Sequence, residues 1–300
     1  MKFPVLGKVF ALGAVLMALL LGLESISGIV AERQGRQLEA EQSVTDSLAG
    51  AQTVLGPVLQ RRCVETWERV DGEGKDRKTL SERRDVVLSA WPRTLKVAAN
   101  ADIEPRYRGL FKLNSHLTKA TLSADWPNLE ALQPRADHAG SQLRCELPTV
   151  AVAVSDARGI QTATMQAAAL RLNVLPGSLM KGRAQGFHAV LNEAESADPL
   201  HLDIGLNLAG TRSIAWVPIA DESRVQLASN WPHPSFAGRF LPVERRIGEA
   251  GFEAQWQVSS LATTAQQAAL NGAGLCEPRD LAQPAVLPGE DSKPACLDSF

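Results

Sequence analysis

From Val9 to Leu23 the chain reads VFALGAVLMALLLGL without a charge, and only Lys8 interrupts the apolar character back to Phe3. As a helix, Phe3–Leu23 would extend about 31 Å, close to the roughly 30 Å of a bilayer's hydrocarbon. Lys8, near one end, can carry its ammonium to the headgroups on its methylene stem. Lys2 and Lys8 stand on one side of the run. Glu24, Glu32, Glu39, Glu41 and Asp46 stand on the other, diluted by Arg33 and Arg36. The positive-inside rule therefore places Met1 in the cytoplasm and the chain from Glu24 onward beyond the membrane. A cleaved signal peptide needs a small-x-small site directly after its apolar core. Glu24-Ser25-Ile26-Ser27-Gly28 supplies none. Residues 1–24 therefore read as a retained anchor, with the lipid bilayer as its partner.

Residues 25–50 follow as a stalk. ISGIVAERQGRQLEAEQSVTDSL is rich in helix formers, Gly28 and Gly35 weaken the run without ending it, and Ala49-Gly50 stops it. Beyond that point, residues 51–300 change texture to short strand patterns punctuated by Gly, Pro, Asn and Asp. Expected strands are Thr53–Gln60, Arg84–Trp91, Thr94–Ala99, Arg106–Leu113, Leu117–Trp126, Thr149–Ser155, Leu170–Leu175, Gly186–Leu191, Leu200–Leu208, Ser213–Val217, Arg224–Trp231 and Phe252–Ser259. Arg106–Leu113 alternates poorly; Leu200–Leu208 alternates best. Only Leu261–Leu270 carries a helical period. The expectation is a mainly β chain: a transmembrane helix, then a large antiparallel β-sandwich-like domain with room for two subdomains. Trp91-Pro92, Trp126-Pro127 and Trp231-Pro232 each close an expected strand, since proline cannot donate to the ladder and tryptophan packs the sheet's end.

The 31 basic and 33 acidic residues are scattered, which excludes a nucleic-acid footprint. Cys63, Cys145, Cys276 and Cys296 form an even set without C-x-x-C spacing, as suits structural disulfides in an oxidising compartment. Cys276 and Cys296 flank a Pro- and Gly-rich tail that needs fastening, so they are the expected pair. Cys63 and Cys145 lie beside expected strands, and pairing across the sheet or burial as free thiols are both open.

The densest side-chain cluster is Ser229–Trp256, where Trp231, His233, Ser235, Phe236 and Trp256 make a candidate interaction or structural motif. A hydrolase reading would make His233 the base for Ser235. The two are separated only by Pro234 and lack a G-x-S-x-G elbow, so no catalytic residue is assigned. The five histidines show no H-x-x-x-H or H-E-x-x-H spacing, and no phosphate-binding glycine loop occurs. No metal and no cofactor are expected.

Five strings carry a resemblance: AQTVLGPVL (Ala51–Leu59), VSDARGI (Val154–Ile160), LNLAGT (Leu206–Thr211), SNWPHPSFAGRFLP (Ser229–Pro242) and GFEAQWQ (Gly251–Gln257). In order and spacing, with the anchor before them, they resemble the CreD family of inner-membrane proteins, also described as colicin-tolerance proteins. The resemblance implies an N-terminal membrane helix, a periplasmic β-rich domain and a C-terminal bundle of further membrane helices. It also implies an envelope role tied to a two-component regulon, colicin tolerance and the β-lactam response, exercised through an unknown envelope protein partner. It supplies no catalytic residues. This sequence ends at Phe300 without a second long apolar run, which reads as truncation. A ligand-binding module for envelope sugars or peptides, reading them on tryptophan faces, is the alternative function.

Overall fold

The computed structural model describes residues 12–36 (apart from 14, 18, 25 and 31), 49–71, 78–108, 111–168, 170–192, 195–272 and 297–299. The chain divides into two compact units, Met1–Ser47 with Arg106–Leu113, and Leu48–Pro105 with Asn114–Phe300.

In the first unit, the helix α1 (Val15–Arg36) is long and apolar enough to cross a membrane, and none of it is buried against protein. Leu16, Leu19, Leu20, Leu21 and Leu23 are all more than half exposed. Leucines so exposed on every side of a helix need an apolar surround that this unit does not provide. Arg36 and Glu32, one turn apart, pair at 2.6 Å. The Phe3–Ala11 part of the expected anchor lies outside the described residues.

The second unit is two packed sheets. The first sheet runs, in order, β14 (Phe236–Gly238), β17 (Leu297–Ser299), β12 (Ile214–Trp216), β1 (Gln52–Asp71), β6 (Thr149–Val154), β10 (Gly186–Val190) and β9 (Leu175–Pro176). Two further strands, β2 (Lys78–Ala90) and β5 (Gln142–Cys145), pair with the distal half of β1. The second sheet runs β15 (Glu244–Gly248), β16 (Gly251–Ser259), β13 (Glu222–Ser229), β3 (Thr94–Arg108), β4 (Phe111–Trp126), β11 (Leu200–Thr211), β7 (Ile160–Ala167) and β8 (Leu170–Arg171). Most pairs are antiparallel; β1–β12 and β3–β13 are parallel.

The core lies between the sheets. On β11 the inward set Leu200, Leu202, Ile204, Leu206 and Leu208 is buried, and on β16 the set Phe252, Ala254, Trp256 and Val258. Each large aliphatic side chain so buried contributes about 2 kcal/mol. β6 (TVAVAV) is buried on both faces from Val150 to Val154, which is why it reads as a continuous apolar run.

Three departures from the expected elements have local causes. β1 is 20 residues long and extends far past Gln60, because polar QRRCVETWERVD has partners on both sides in β2 and β5. Arg106–Leu113 is not a strand of its own but the end of β3 and the start of β4. Leu261–Leu270 shrinks to a 3-10 turn and the short helix α2 (Ala265–Leu270). The expected closures hold: β2 stops at Ala90 before Trp91, β4 at Trp126, and β13 at Ser229 just before Asn230-Trp231. The Trp126 indole N–H donates to the Ala90 carbonyl at 3.1 Å, tying the second closure to the first.

Candidate functional site

Three side-chain constellations stand out, and two are assembled from the strings quoted above. The first gathers AQTVLGPVL, VSDARGI and LNLAGT around the first residues of the β unit. The Gly50 N–H donates to Asp156 Oδ2 at 3.1 Å. The buried Gln52 amide donates to the carbonyls of Asp156 (3.0 Å) and Ala209 (3.1 Å). The Thr53 N–H donates to Ser155 Oγ, whose own hydroxyl reaches the Ala51 carbonyl at 2.7 Å. Thr211 adds two bonds, from its N–H to the Gly50 carbonyl and from its hydroxyl to that of Ala49. Gly159 is glycine because a Cβ there would overlap the Ala209 carbonyl and the Gln52 amide, and would lie 3.0 Å from Ala49 Cβ. The hydrogen bonds from Arg158, then the Gly50 N–H, hold the Asp156 carboxyl below its usual range against the opposing effect of burial. Beside this clamp His116 is buried, with Nε2 3.2 Å from the Ser213 carbonyl and Nδ1 3.0 Å from Thr118 Oγ1. A carbonyl only accepts, so Nε2 carries the proton and Nδ1 accepts from Thr118. Burial pushes His116 down to about 4, which keeps the ring neutral. The clamp fixes the backbone from Ala49 onward, where the sequence arrives from the helical segment.

The second constellation joins SNWPHPSFAGRFLP to GFEAQWQ. Asn230 continues the β13–β3 ladder with its side chain: Oδ1 accepts the Ile103 N–H at 2.8 Å and Nδ2 donates to the Ile103 carbonyl. Gly251, at φ +133°, lies where any Cβ would strike the Ser229 carbonyl and sit 2.9 Å from Asn230 Cα. Trp256 is fully buried, and its indole N–H donates to the Phe240 carbonyl at 3.2 Å. Phe236 meets Phe252 and Trp256 edge to face, with centroids 5.5 and 5.7 Å apart. Trp231 is half-buried and donates to the His233 carbonyl at 2.7 Å. His233 and Ser235 are exposed, and no hydrogen bond joins them. The structure thus brings Phe236 and Trp256 together, with Trp231 on the neighbouring turn, and leaves the candidate nucleophile and base apart.

The third was not singled out in the sequence. Cys63, Glu65 and Trp67 alternate along β1 and so share one face. Cys63 is joined to Cys145, directly opposite on β5, by a disulfide. Glu65 is fully buried, and its Oε1 accepts from the N–H groups of Asp137 (2.9 Å) and His138 (3.0 Å) and from the Ser141 hydroxyl (2.8 Å). Its Oε2 lies 3.1 Å from Arg84, which also grips Asp137. The His138 ring stacks on Trp67 at 3.8 Å. The hydrogen bonds from His138 and Ser141, ahead of that from Asp137, hold Glu65 at about 2 despite burial. The signal in the sequence was CVETW, a period-2 string with one carboxylate on its inward face. Cys276 and Cys296, the expected pair, lie outside the described residues.

One further row of charged side chains centres on a histidine. His201 on β11 sits between Asp125 (Nδ1 to Oδ1, 2.6 Å) and Asp203 (Nε2 to Oδ2, 3.3 Å). Thr94 donates to the other oxygen of Asp125 at 2.6 Å, and Ser123 donates to Asp203. Every group in this half-exposed row is engaged with a neighbour. Among the described residues no cluster of three or more His, Cys, Asp or Glu could hold a metal ion.

Comparison with known sequences decides the family. The profile of the family described as "Inner membrane protein CreD" matches residues 4–285, nearly the whole chain. The chain belongs to the CreD family. The CreD protein of Escherichia coli (strain K12), "Inner membrane protein CreD", is 30% identical over 261 residues, which cover 86% of this chain and 56% of that protein. The chain therefore spans a little over half the length of the CreD relative it matches. Among solved structures, an M1 zinc metallopeptidase of Deinococcus radiodurans, in a mutant form bound to a peptide, aligns with 56% of this chain and 38% of its own. The identity is 11% and the TM-score 0.24, a likeness too slight to carry any argument.

Proposed function

We propose that this CreD-family chain is a non-enzymatic envelope protein, held in the inner membrane by α1, with its β unit on the periplasmic side. It supports envelope integrity or stress responses, including those to β-lactams and colicins, through contacts with other proteins. The observation that carries the reading is the joining of two features in a chain of this family. One is an apolar helix long enough to cross a bilayer; the other is a β unit closed by the Cys63–Cys145 disulfide. Such bonds form and persist outside the reducing cytoplasm. The chemistry of the constellations agrees. Their polar groups are spent on backbone and on one another, as in structural knots, and Trp126, Trp216 and Trp256 are buried in the core.

The test is deletion of the gene and complementation in the host bacterium. Loss should alter susceptibility to a β-lactam and to a colicin. The full chain should restore it, and so should the His233→Ala/Ser235→Ala double variant. A deletion without effect on the envelope overturns the reading, as does a folded double variant that fails to complement.

A further inference from the structure

At one end of the second sheet, β15 is hydrogen-bonded to β16 along one edge, and among the described residues no strand pairs with its other edge. The opposite end of the same sheet is blunted to the two residues of β8. All five residues of β15 are exposed. Leu241 (65%), Val243 (61%) and Ile247 (52%) place large apolar side chains in water within seven residues. Natural edges usually carry charge or proline against such exposure. Here Pro242, Glu244, Arg245 and Arg246 are present, but interleaved with the apolar residues rather than replacing them.

We infer that this edge pairs antiparallel with the same edge of a second copy of the chain, about a two-fold axis at Arg245. The argument is complementarity in register. Side chains alternate along a strand, so Val243, Arg245 and Ile247 share one face, and Glu244 and Arg246 the other. With the axis at Arg245, Val243 faces Ile247 of the second copy on the first face. Glu244 faces Arg246 on the second, and symmetry repeats both pairs. A shift of the axis to 244 sets Glu244 against Glu244 and Pro242 against Arg246. A shift to 246 sets Arg246 against Arg246 and Val243 against Glu249. Neither shifted register pairs opposite charges. Arg245 repels its own copy at the axis, so the flanking pairs carry the association. Within one chain Arg246 reaches Glu253 only at 3.9 Å, across an exposed surface, which leaves it able to exchange partners.

The experiment measures the mass of the full chain in detergent or nanodiscs by light scattering across a concentration series. The expected result is a monomer–dimer equilibrium. Glu244→Arg and Arg246→Glu should each weaken it about tenfold or more, and the double swap Glu244→Arg/Arg246→Glu should restore it. At a concentration dilute enough that each is monomeric, all four proteins should share one thermal unfolding midpoint, since these side chains are exposed. A monomer at every concentration overturns the inference. So does a dimer indifferent to the single swaps, the outcome if α1 mediates association, and so does a double swap that fails to restore it.

Discussion

Glu65 shows how a single residue can hold a loop. Its carboxylate accepts hydrogen bonds from three donors within the segment 137–141 while buried under the Trp67–His138 stack. Its pKa, held near 2 and below the ordinary 4.5, means that the folded state favours the ionised form. The stability this supplies is complete above about pH 4.5 and is lost as pH falls toward 2. Glu65→Gln should therefore lower the urea midpoint at neutral pH, and the gap from the parent should narrow as the pH falls toward 2; a gap independent of pH would contradict this. His201 has the opposite sign, because Asp125, then Asp203, raise it above 6.5. Its contribution is complete below 6.5 and fades as pH rises through its folded value, so His201→Gln should differ from the parent under acid conditions and converge with it under alkaline ones. Glu65 lay outside the expected strands, and His201 was one of five histidines without metal-binding spacing. What made them readable was the partner: Asp125 is 76 residues from His201 and His138 is 73 from Glu65, separations that no periodicity records.

At the scale of elements, the family strings prove to be fitted pieces. Gly159→Ala should destabilise the chain by about 3 kcal/mol, the upper range for a forced overlap, because the clash is with backbone and a buried amide. Gly248→Ala, with nothing within 4 Å, is the matched control and should be nearly neutral in the same chemical denaturation. Trp256→Ala should cost about 3–5 kcal/mol, whereas half-buried Trp231→Ala should cost less, about 2 kcal/mol. Equal losses at the two positions would count against this ranking. The strands were legible where alternation is clean, as in β11 and β16, and where Trp-Pro stops the ladder. β7 (IQTATMQA) was missed because its inward face carries only the small Ala163 and Ala167 beside Met165, a weak apolar alternation. The far half of β1 was missed because an extended polar hairpin shows no apolar period when only part of one face is covered.

At the scale of the whole molecule, one disulfide joins Cys63 to Cys145. With Cys63 joined to Cys145, Cys276 has only Cys296 left within the chain. A non-reducing peptide map should show Cys63–Cys145, and Cys276–Cys296 closing a loop of about 20 residues worth roughly 3 kcal/mol. A link from Cys63 to Cys276 would contradict the structure. The broad plan, an apolar N-terminal helix followed by a β-sandwich-like body, was legible because hydropathy and period-2 patterns are local. The parallel pairings β1–β12 and β3–β13 were not, since they depend on where distant strands return. The central claim is that α1 holds the protein in the inner membrane with the β unit outside the cytoplasm. It is tested most directly by fusing a phosphatase, active only outside the cytoplasm, after Ala49, and a fluorescent protein, active only inside it, at the same point. Phosphatase activity that pellets with membranes, without fluorescence, is the predicted result. Fluorescence without phosphatase activity would contradict it, as would a soluble phosphatase released by cleavage near Glu24–Glu32.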